Sequence, residues 1–361
     1  MSKRALLAAL LLASGPATAE PTATVLPLPF AVAEFRSPHA YAARILPSLD
    51  AVRARRPAGV DAYALAWGEG RAAGLYLAGG EVRLLTFPVP DAEGAPFGEA
   101  PDDATPGTRQ ATQGPLTAYL AAPAEPADGP LGEVAGSRQL VVSERRPVAP
   151  GGGVQRVPVE TVRVEAGPGA AFMDAEPRIA DLDGDGQPEI VVVRAAADGA
   201  RLAVVARREA GWAIAAETPP VSGPDPWLNP AAIAPFTGRG RPEIAVVRSP
   251  HAEGVLQLWA YEAGRLVLRH ERAGFSTHAL GSAALDLAGS ADLDGDRAAD
   301  LALPSLDRQA LVLVSLRDGI REIGRIGLPA PASRGVAVLG SGRDARLLVA
   351  LEDGRVAVVR P

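Results

Sequence analysis

The sequence predicts an all-β protein made of repeated four-stranded antiparallel sheets. Short apolar runs of strand length recur along the chain, and Gly-bearing turns separate many of them, which is typical of all-β proteins. Related segments begin at residues 181, 235, 292 and 338, with spacings of 54, 57 and 46 residues. A repeat of about 50 residues indicates small units that cannot bury their own faces alone and must pack against one another.

The strands are predicted at similar places in each repeat, where apolar and β-branched residues concentrate. In chain order they are 62–67, 74–78, 81–87, 139–144, 154–164, 190–194, 201–207, 212–217, 244–248, 255–261, 265–269, 301–303, 310–315 and 320–326. The stretch 88–136 is rich in Pro, Gly and acidic residues, and we predict a long surface loop or insertion there. A separate small N-terminal domain before residue 170 is the alternative.

Two acidic loops carry the strongest chemical signal in the sequence. Carboxylates occupy positions 1, 3, 5 and 9 of each loop, at Asp181, Asp183, Asp185 and Glu189 in the first loop and at Asp292, Asp294, Asp296 and Asp300 in the second. Crowded carboxylates repel one another unless a cation neutralises them, and Ca²⁺ accepts about six to eight oxygen ligands. Gly184, Gly186 and Gly295 permit the turns that such a loop needs. The sequence therefore predicts two Ca²⁺ sites, with metal-free Asp-Gly turns as the alternative.

An EF-hand does not fit these loops. That motif needs a bidentate Glu at position 12, and position 12 is Val192 in the first loop and Leu303 in the second. Each loop instead closes at position 9 and leads directly into a predicted strand.

The loop pattern, followed by an apolar strand, resembles the FG-GAP or VCBS repeats of the integrin alpha-subunit propeller and of many secreted bacterial proteins. The resemblance covers residues 170–361 and implies a β-propeller with Ca²⁺ in loops between the strands of a blade. It implies ten ligands, namely Asp181, Asp183, Asp185, the Gln187 carbonyl and Glu189 for one ion, and Asp292, Asp294, Asp296, the Ala298 carbonyl and Asp300 for the other. Two residues depart from the family pattern, because Glu189 replaces the usual Asp at position 9 and Arg297 replaces the usual Gly at position 6.

A third copy of the loop has lost its metal ligands. Positions 1, 3 and 5 are Pro235, Thr237 and Arg239 there, and only Glu243 at position 9 is acidic. The cationic side chain of Arg239 excludes Ca²⁺, and we expect it to pair with Glu243 instead. A fourth copy at 338–348 keeps the small turn residues and has lost the acids.

Chain length sets the number of repeats. Residues 20–361 at about 52 residues per repeat allow roughly six to seven blades, and the resemblance favours seven. We therefore predict a seven-bladed β-propeller of four-stranded antiparallel sheets over residues 20–361. The last repeat ends early, so we expect a strand from the N-terminal region to complete it and to close the ring, which removes exposed sheet edges.

The N-terminus predicts export. Lys3 and Arg4 precede an apolar stretch at 5–13, and the small residues at 17–19 form a cleavage site, as in a signal peptide. We predict cleavage after Ala19 and a periplasmic or secreted protein without a membrane span, since a bilayer-spanning helix needs about 20 apolar residues. The chain has no cysteine, which excludes disulfides.

Charge limits the partners. Loss of Lys3 and Arg4 changes the net charge from −6 to −8, and an acidic chain is a poor nucleic-acid binder because phosphate neutralisation dominates that affinity. We expect a monomer that binds an unknown protein or glycan on one face.

No catalytic constellation is evident in the sequence. The histidines are scattered singly at His39, His251, His270 and His278, and the segment 274–278 lacks the closing Gly of the G-x-S-x-G nucleophile motif. We therefore predict a non-enzymatic scaffold with no catalytic residue and no organic cofactor. The alternatives are a secreted propeller hydrolase or lyase with its active site at the central channel, for which His, Arg and carboxylates at the channel mouth would be the sign, and a purely structural protein without a stable ligand.

Overall fold

Four-stranded antiparallel sheets repeat along the whole chain. A computed structural model describes residues 23–53, 55, 57–60, 62–89, 100–124, 135–146, 157–223 and 225–361. The predicted signal peptide at 1–19 lies outside these residues. Each sheet is a blade whose innermost strand comes first in the chain, except that the first strand of the chain belongs to the last blade.

Blades 1 to 3 occupy the first part of the chain, and the strands of each follow in order from the innermost to the outermost. Blade 1 contains β2 (Glu34–Arg36), β3 (Ala64–Gly68), β4 (Arg71–Ala78) and β5 (Glu81–Pro88). Blade 2 contains β6 (Ala111–Gln113), β7 (Leu116–Pro123), β8 (Ser137–Arg145) and β9 (Val159–Glu165). Blade 3 contains β11 (Arg178–Ala180), β12 (Glu189–Ala196), β13 (Gly199–Arg208) and β14 (Gly211–Glu217). The short strand β10 (Ala171–Phe172) pairs with both β8 and β12 and so joins blades 2 and 3.

The remaining blades repeat the same order. Blade 4 contains β15 (Leu228–Ala234), β16 (Glu243–Arg248), β17 (Val255–Glu262) and β18 (Arg265–Arg272). Blade 5 contains β19 (Gly289–Ala291), β20 (Asp300–Pro304), β21 (Ala310–Ser315) and β22 (Arg321–Gly327). Blade 6 contains β23 (Ala332–Leu339), β24 (Arg346–Leu351), β25 (Val356–Val359) and β1 (Ala23–Leu26).

The N-terminal strand closes the ring, as predicted. Strand β1 pairs antiparallel with β25, and the register joins Ala23 to Val359 and Leu26 to Val356. Buried apolar clusters are shared between blades 2 and 3, 3 and 4, 4 and 5, 5 and 6, and 6 and 1. This packing defines the protein as a β-propeller.

The described residues form six blades, where the sequence analysis predicted seven. The connection between β2 and β3 holds helix α1 (Tyr41–Ile45), a 3₁₀ turn (Leu46–Ser48) and helix α2 (Asp50–Arg53). Ala42, Leu46 and Val52 pack there against Leu65 and Leu85 of blade 1. A short helical segment thus covers the face of blade 1 that a further blade would otherwise cover, and it uses chain length that the repeat estimate assigned to strands.

The prediction of a long loop at 88–136 was wrong for residues 111–113 and 116–123. This stretch supplies β6 and β7, and Leu116, Leu120 and Ala118 of β7 are buried between blades 2 and 3. The strand holds the large apolar residues Leu116, Tyr119 and Leu120, but it lies in a stretch whose Pro, Gly and acidic residues led the prediction to assign the whole segment to a loop. None of the helices in the described ranges is long and apolar enough to cross a membrane.

Candidate metal centre and central channel

Both acidic loops join an innermost strand to the second strand of its blade. The first loop lies between β11 and β12, and the second lies between β19 and β20. In each loop the carboxylates at positions 1, 3 and 9 lie close together, with one oxygen of each within 4.8 Å of the others, at Asp181, Asp183 and Glu189 and at Asp292, Asp294 and Asp300. The structure thus brings together six of the eight predicted carboxylate ligands.

The predicted ligands at positions 5 and 7 lie outside the two three-carboxylate clusters. Asp185 is exposed, and its Oδ1 accepts a hydrogen bond from the Gln187 N–H at 2.7 Å. Asp296 Oδ1 accepts the corresponding bond from the Ala298 N–H at 2.8 Å. The carbonyl oxygens of Gln187 and Ala298 remain predicted ligands.

The two loops share one hydrogen-bonding frame. The position-1 carboxylate accepts hydrogen bonds from the backbone N–H groups of positions 4 and 6. The position-3 carboxylate accepts the N–H of position 5, and the position-5 carboxylate accepts the N–H of position 7. The position-9 carboxylate accepts the N–H of position 2. Five backbone donors therefore orient four carboxylates in each loop, and in the second loop the Asp294 N–H also donates to Asp300 Oδ2 at 3.2 Å. This frame explains why two segments of different sequence adopt the same turn.

The position-9 carboxylates are the buried members of the loops. Glu189 is 4% exposed and Asp300 is fully buried, and Asp300 Oδ1 has no hydrogen-bond partner in the described part of the chain. Burial, together with the neighbouring loop aspartates, raises the pKa of Glu189 to about 7 and the pKa of Asp300 to about 6. A buried, ionised carboxylate without a partner is costly, so this donor set fits a hard cation.

In the third copy of the loop, Thr237 satisfies the position-9 carboxylate. Thr237 donates its backbone N–H to Glu243 Oε2 at 2.9 Å and its hydroxyl to Glu243 Oε1 at 3.1 Å. The expected pairing of Arg239 with Glu243 was therefore wrong, because the backbone N–H and the hydroxyl of Thr237 each satisfy one of the two carboxylate oxygens.

The loops of neighbouring blades touch one another around one end of the ring. Ala299 of the second loop donates its N–H to Pro235 O at 3.4 Å, and Gly342 of the fourth copy donates to Asp292 O at 2.6 Å. Arg241 lies 3.6 Å from the position that a Cβ on Gly184 would occupy. On this face, contacts between loops therefore link blade 3 to blade 4, blade 4 to blade 5 and blade 5 to blade 6.

A histidine pair lies at the opposite end of blades 4 and 5. His251 Nε2 lies 2.8 Å from His278 Nδ1, and His278 Nε2 lies 2.7 Å from Ser282 O. Asp225 Oδ2 accepts the His251 N–H at 3.0 Å, and the Trp227 indole stacks on the His251 ring at 6.0 Å between centroids. The prediction of isolated histidines was wrong for these two, since a contact between loops 27 residues apart leaves no local pattern in the sequence. These hydrogen bonds link the segment before β19 to blade 4.

Acid is expected to destabilise the protein through His278. Burial lowers the pKa of His278 to about 4 in the folded chain, so the unfolded chain binds more protons between pH 6.5 and 4. The stability contributed by neutral His278 is complete above about pH 6.5 and falls toward pH 4, by about 3 kcal/mol in total. Urea unfolding of the wild type and of His278→Gln between pH 7 and pH 4 measures this loss of stability, with His270→Gln as the control. Glu189 and Asp300 have raised pKa values and therefore stabilise the folded chain as the pH falls. Both proteins share this opposite contribution, so the difference between their stability curves does not contain it. Parallel stability curves would contradict the prediction.

The innermost strands surround a cavity of about 450 Å³ on the axis of the ring. Every blade contributes to its wall, through residues that include Pro38, Thr112, Ile179, Ala231, Ser290 and Ala337. The cavity is the central channel of the propeller.

An ion-pair network crosses the channel at one mouth. Arg109 Nε lies 2.9 Å from Glu176 Oε2, and its Nη2 lies 3.4 Å from Asp286 Oδ2. These residues precede the innermost strands of blades 2, 3 and 5, whereas the two acidic loops follow innermost strands. The network therefore lies at the end of the channel opposite the acidic loops. Burial, reinforced by Asp286, raises the pKa of Glu176 against the effect of Arg109. Sequence reasoning missed this network because its members are up to 177 residues apart.

No protein-family model matches the chain, and no curated protein matches it. Among solved structures, a luciferin-regenerating enzyme aligns with a TM-score of 0.40 and 10% identity over 94% of this chain and 95% of that chain. A Trypanosoma rangeli sialidase in complex with 2,3-difluorosialic acid aligns with a TM-score of 0.42 and 14% identity over 84% of this chain and 52% of the sialidase chain. BBS1N in complex with ARL6DN aligns with a TM-score of 0.34 and 14% identity over 83% of this chain and 74% of that one. Likeness at this level carries no argument about a site or an activity.

Proposed function

We propose that the protein is an exported β-propeller that two structural Ca²⁺ ions stabilise and that binds a protein or glycan on one face. The observation that supports the ions best is the buried Asp300 Oδ1, which has no hydrogen-bond partner among the described residues and belongs to a three-carboxylate cluster. The first loop has the same frame, and the FG-GAP or VCBS resemblance of the loop motif adds the same ligand sets.

The role proposed for the ions is structural. Asp181, Asp183, Asp185, Glu189 and the Gln187 carbonyl would hold one ion, and Asp292, Asp294, Asp296, Asp300 and the Ala298 carbonyl would hold the other. Bound Ca²⁺ would neutralise carboxylates that otherwise repel one another. The loop backbone orients these carboxylates through the shared frame, and contacts such as that between Gly342 N and Asp292 O would transmit the rigidity of the loop to the next blade.

Isothermal titration of the chelator-treated protein with Ca²⁺ tests the metal proposal. We expect two Ca²⁺ per chain and much weaker binding of Mg²⁺, which prefers a stricter geometry and retains its water. Asp300→Asn should remove one site. The control is Asp307→Asn, because Asp307 caps a turn of the same blade through Ser305 and Gln309 and lies outside the loop. A silent titration of the wild type would refute the metal proposal.

The proposed export matches the proposed ions, because extracellular Ca²⁺ sites fill even at dissociation constants of about 10⁻⁴–10⁻³ M. Residues 1–19 would direct that export and be cleaved after Ala19. Mass spectrometry of the protein recovered from a periplasmic extract would detect the shortened chain.

The channel network favours a second candidate function, a propeller hydrolase acting at the channel. Glu176 and Asp286 are two carboxyl groups that share Arg109, and the raised pKa of Glu176 suits a general acid. A screen of polysaccharides and phosphoesters separates the two candidates. Turnover that Glu176→Gln abolishes would support the enzyme, whereas saturable binding of a glycan or protein without turnover would support the scaffold.

A further inference from the structure

The two acidic loops differ at position 5, although their frames are the same. In the second loop, Arg317 Nη1 donates to Asp296 Oδ2 at 2.9 Å and to Asp296 O at 3.1 Å. Arg317 comes from the turn between β21 and β22 of the same blade. In the first loop, Asp185 has no ion pair among the described residues, and Arg241 lies against Gly184 instead of against a carboxylate. One loop therefore has a cationic side chain on a predicted ligand, and the other does not.

A second difference affects the same loop. Position 6 is Gly186 in the first loop and Arg297 in the second, and both have a positive φ, at +85° and +73°. A residue with a Cβ is disfavoured in this left-handed region by about 1–2 kcal/mol. Arg297 therefore adds backbone strain and a second positive charge to the loop that Arg317 already contacts.

We propose that Arg317 competes with Ca²⁺ for Asp296, so that the two loops bind Ca²⁺ with different affinities and the first loop fills first. This inference rests on the proposed function, which assigns Ca²⁺ to both loops. Asp296 can coordinate the ion only after it leaves the guanidinium group, and the guanidinium then repels the divalent ion at short range. The pair is partly exposed, with 46% of the Arg317 side chain and 29% of the Asp296 side chain accessible to solvent, so its effect is modest.

The second loop nevertheless remains a site. Asp300 is fully buried, and the described chain offers no hydrogen-bond partner to its Oδ1. In the third copy, by contrast, Thr237 donates hydrogen bonds to both oxygens of the position-9 carboxylate, Glu243, and leaves neither oxygen for a cation. Arg317 contacts position 5 and leaves the position-9 carboxylate free for a cation. It therefore weakens the site without removing it.

Variants that disable one acidic loop allow the Ca²⁺ affinity of the other loop to be measured alone, and we call them single-loop variants. Asp183→Ala leaves only the second loop intact, and Asp294→Ala leaves only the first. In calcium titrations by calorimetry, we expect Asp183→Ala to bind Ca²⁺ more weakly than Asp294→Ala. Adding Arg317→Ala to Asp183→Ala should tighten binding by about three- to tenfold, and adding it to Asp294→Ala should change binding less than twofold.

Two matched controls separate the pair from a general change in charge. Arg325→Ala removes a guanidinium group of β22 that pairs with Glu322 and does not contact the loop. Arg241→Ala removes the arginine that lies against the first loop without pairing with a carboxylate. Neither should tighten binding in the Asp183→Ala background. If a single-loop variant folds poorly by circular dichroism, Arg317→Ala in the wild type should shift only the weaker of two calcium-binding steps.

The outcomes are distinct. Equal affinities in the two single-loop variants, or no change on adding Arg317→Ala to Asp183→Ala, would overturn this inference and leave the proposed Ca²⁺ sites intact. Absence of Ca²⁺ binding by the wild type would overturn the proposed function and this inference together. A selective gain in the second loop supports the inference.

Discussion

Deletion of residues 1–26 is expected to open the ring and to lower the free energy of unfolding by about 4 kcal/mol. The deletion removes β1, which forms four residue pairs with β25, and each backbone hydrogen bond contributes about 1 kcal/mol. It also exposes the edge of the apolar strand Val356–Val359, and exposed edges promote association. Thermal unfolding and size-exclusion chromatography measure the two effects.

Deletion of residues 1–22 is the control for this experiment, since it keeps β1. We expect the control to behave as the full chain does and the longer deletion to unfold at a lower temperature and to form dimers or aggregates. Equal midpoints for both deletions would show that the pairing of β1 with β25 does not hold the ring closed.

Removal of Ca²⁺ is expected to have an effect of similar size. An ion that binds only the folded chain stabilises it by about 2.7 kcal/mol at a hundredfold excess over its dissociation constant, so two sites give roughly 5 kcal/mol. Differential scanning calorimetry after chelation, and after Ca²⁺ is restored, measures this difference. The double variant Asp183→Ala plus Asp294→Ala should lose most of the response, because each change removes one carboxylate of a three-membered cluster.

A matched double variant keeps the number of lost charges the same. Asp307→Ala plus Asp353→Ala removes two carboxylates that cap turns in blades 5 and 6. It should retain the full response to Ca²⁺. A chelator effect that both double variants keep would exclude the two loops as its origin.

Strands with large apolar residues on both faces were among those that sequence reasoning placed correctly. Runs such as 190–194 and 244–248 are buried almost throughout. The innermost strand β19 was missed, because Gly289–Ala291 is three small residues whose strand conformation depends on pairing with β20. Strand β7 was missed for another reason, since its apolar residues lie within a stretch rich in Pro, Gly and acidic residues that was assigned to a loop as a whole.

The clustering of the loop carboxylates was the most predictable part of the candidate site, and Ca²⁺ binding there stays a prediction. The carboxylates lie within nine residues, and the local hydrogen bonds of the loop determine their positions, so the spacing in the sequence carried the geometry. The contacts made by Arg317, Arg109 and His278 could not be predicted in this way. Each depends on the docking of elements that are distant in sequence, and an arginine or histidine in a turn has many possible partners before the fold is known.

The pairing of β1 with β25 also constrains the order in which the protein folds. The two strands are separated by more than 300 residues in sequence, and contacts of such long range form late because the cost of loop closure must be overcome first. During synthesis, β1 emerges long before its partner. Blades 1–5 draw all their strands from consecutive chain segments and can form as the chain appears, whereas blade 6 must wait for the last residues. The chain therefore passes through a stage in which a nearly complete row of blades is present with both of its ends unpaired.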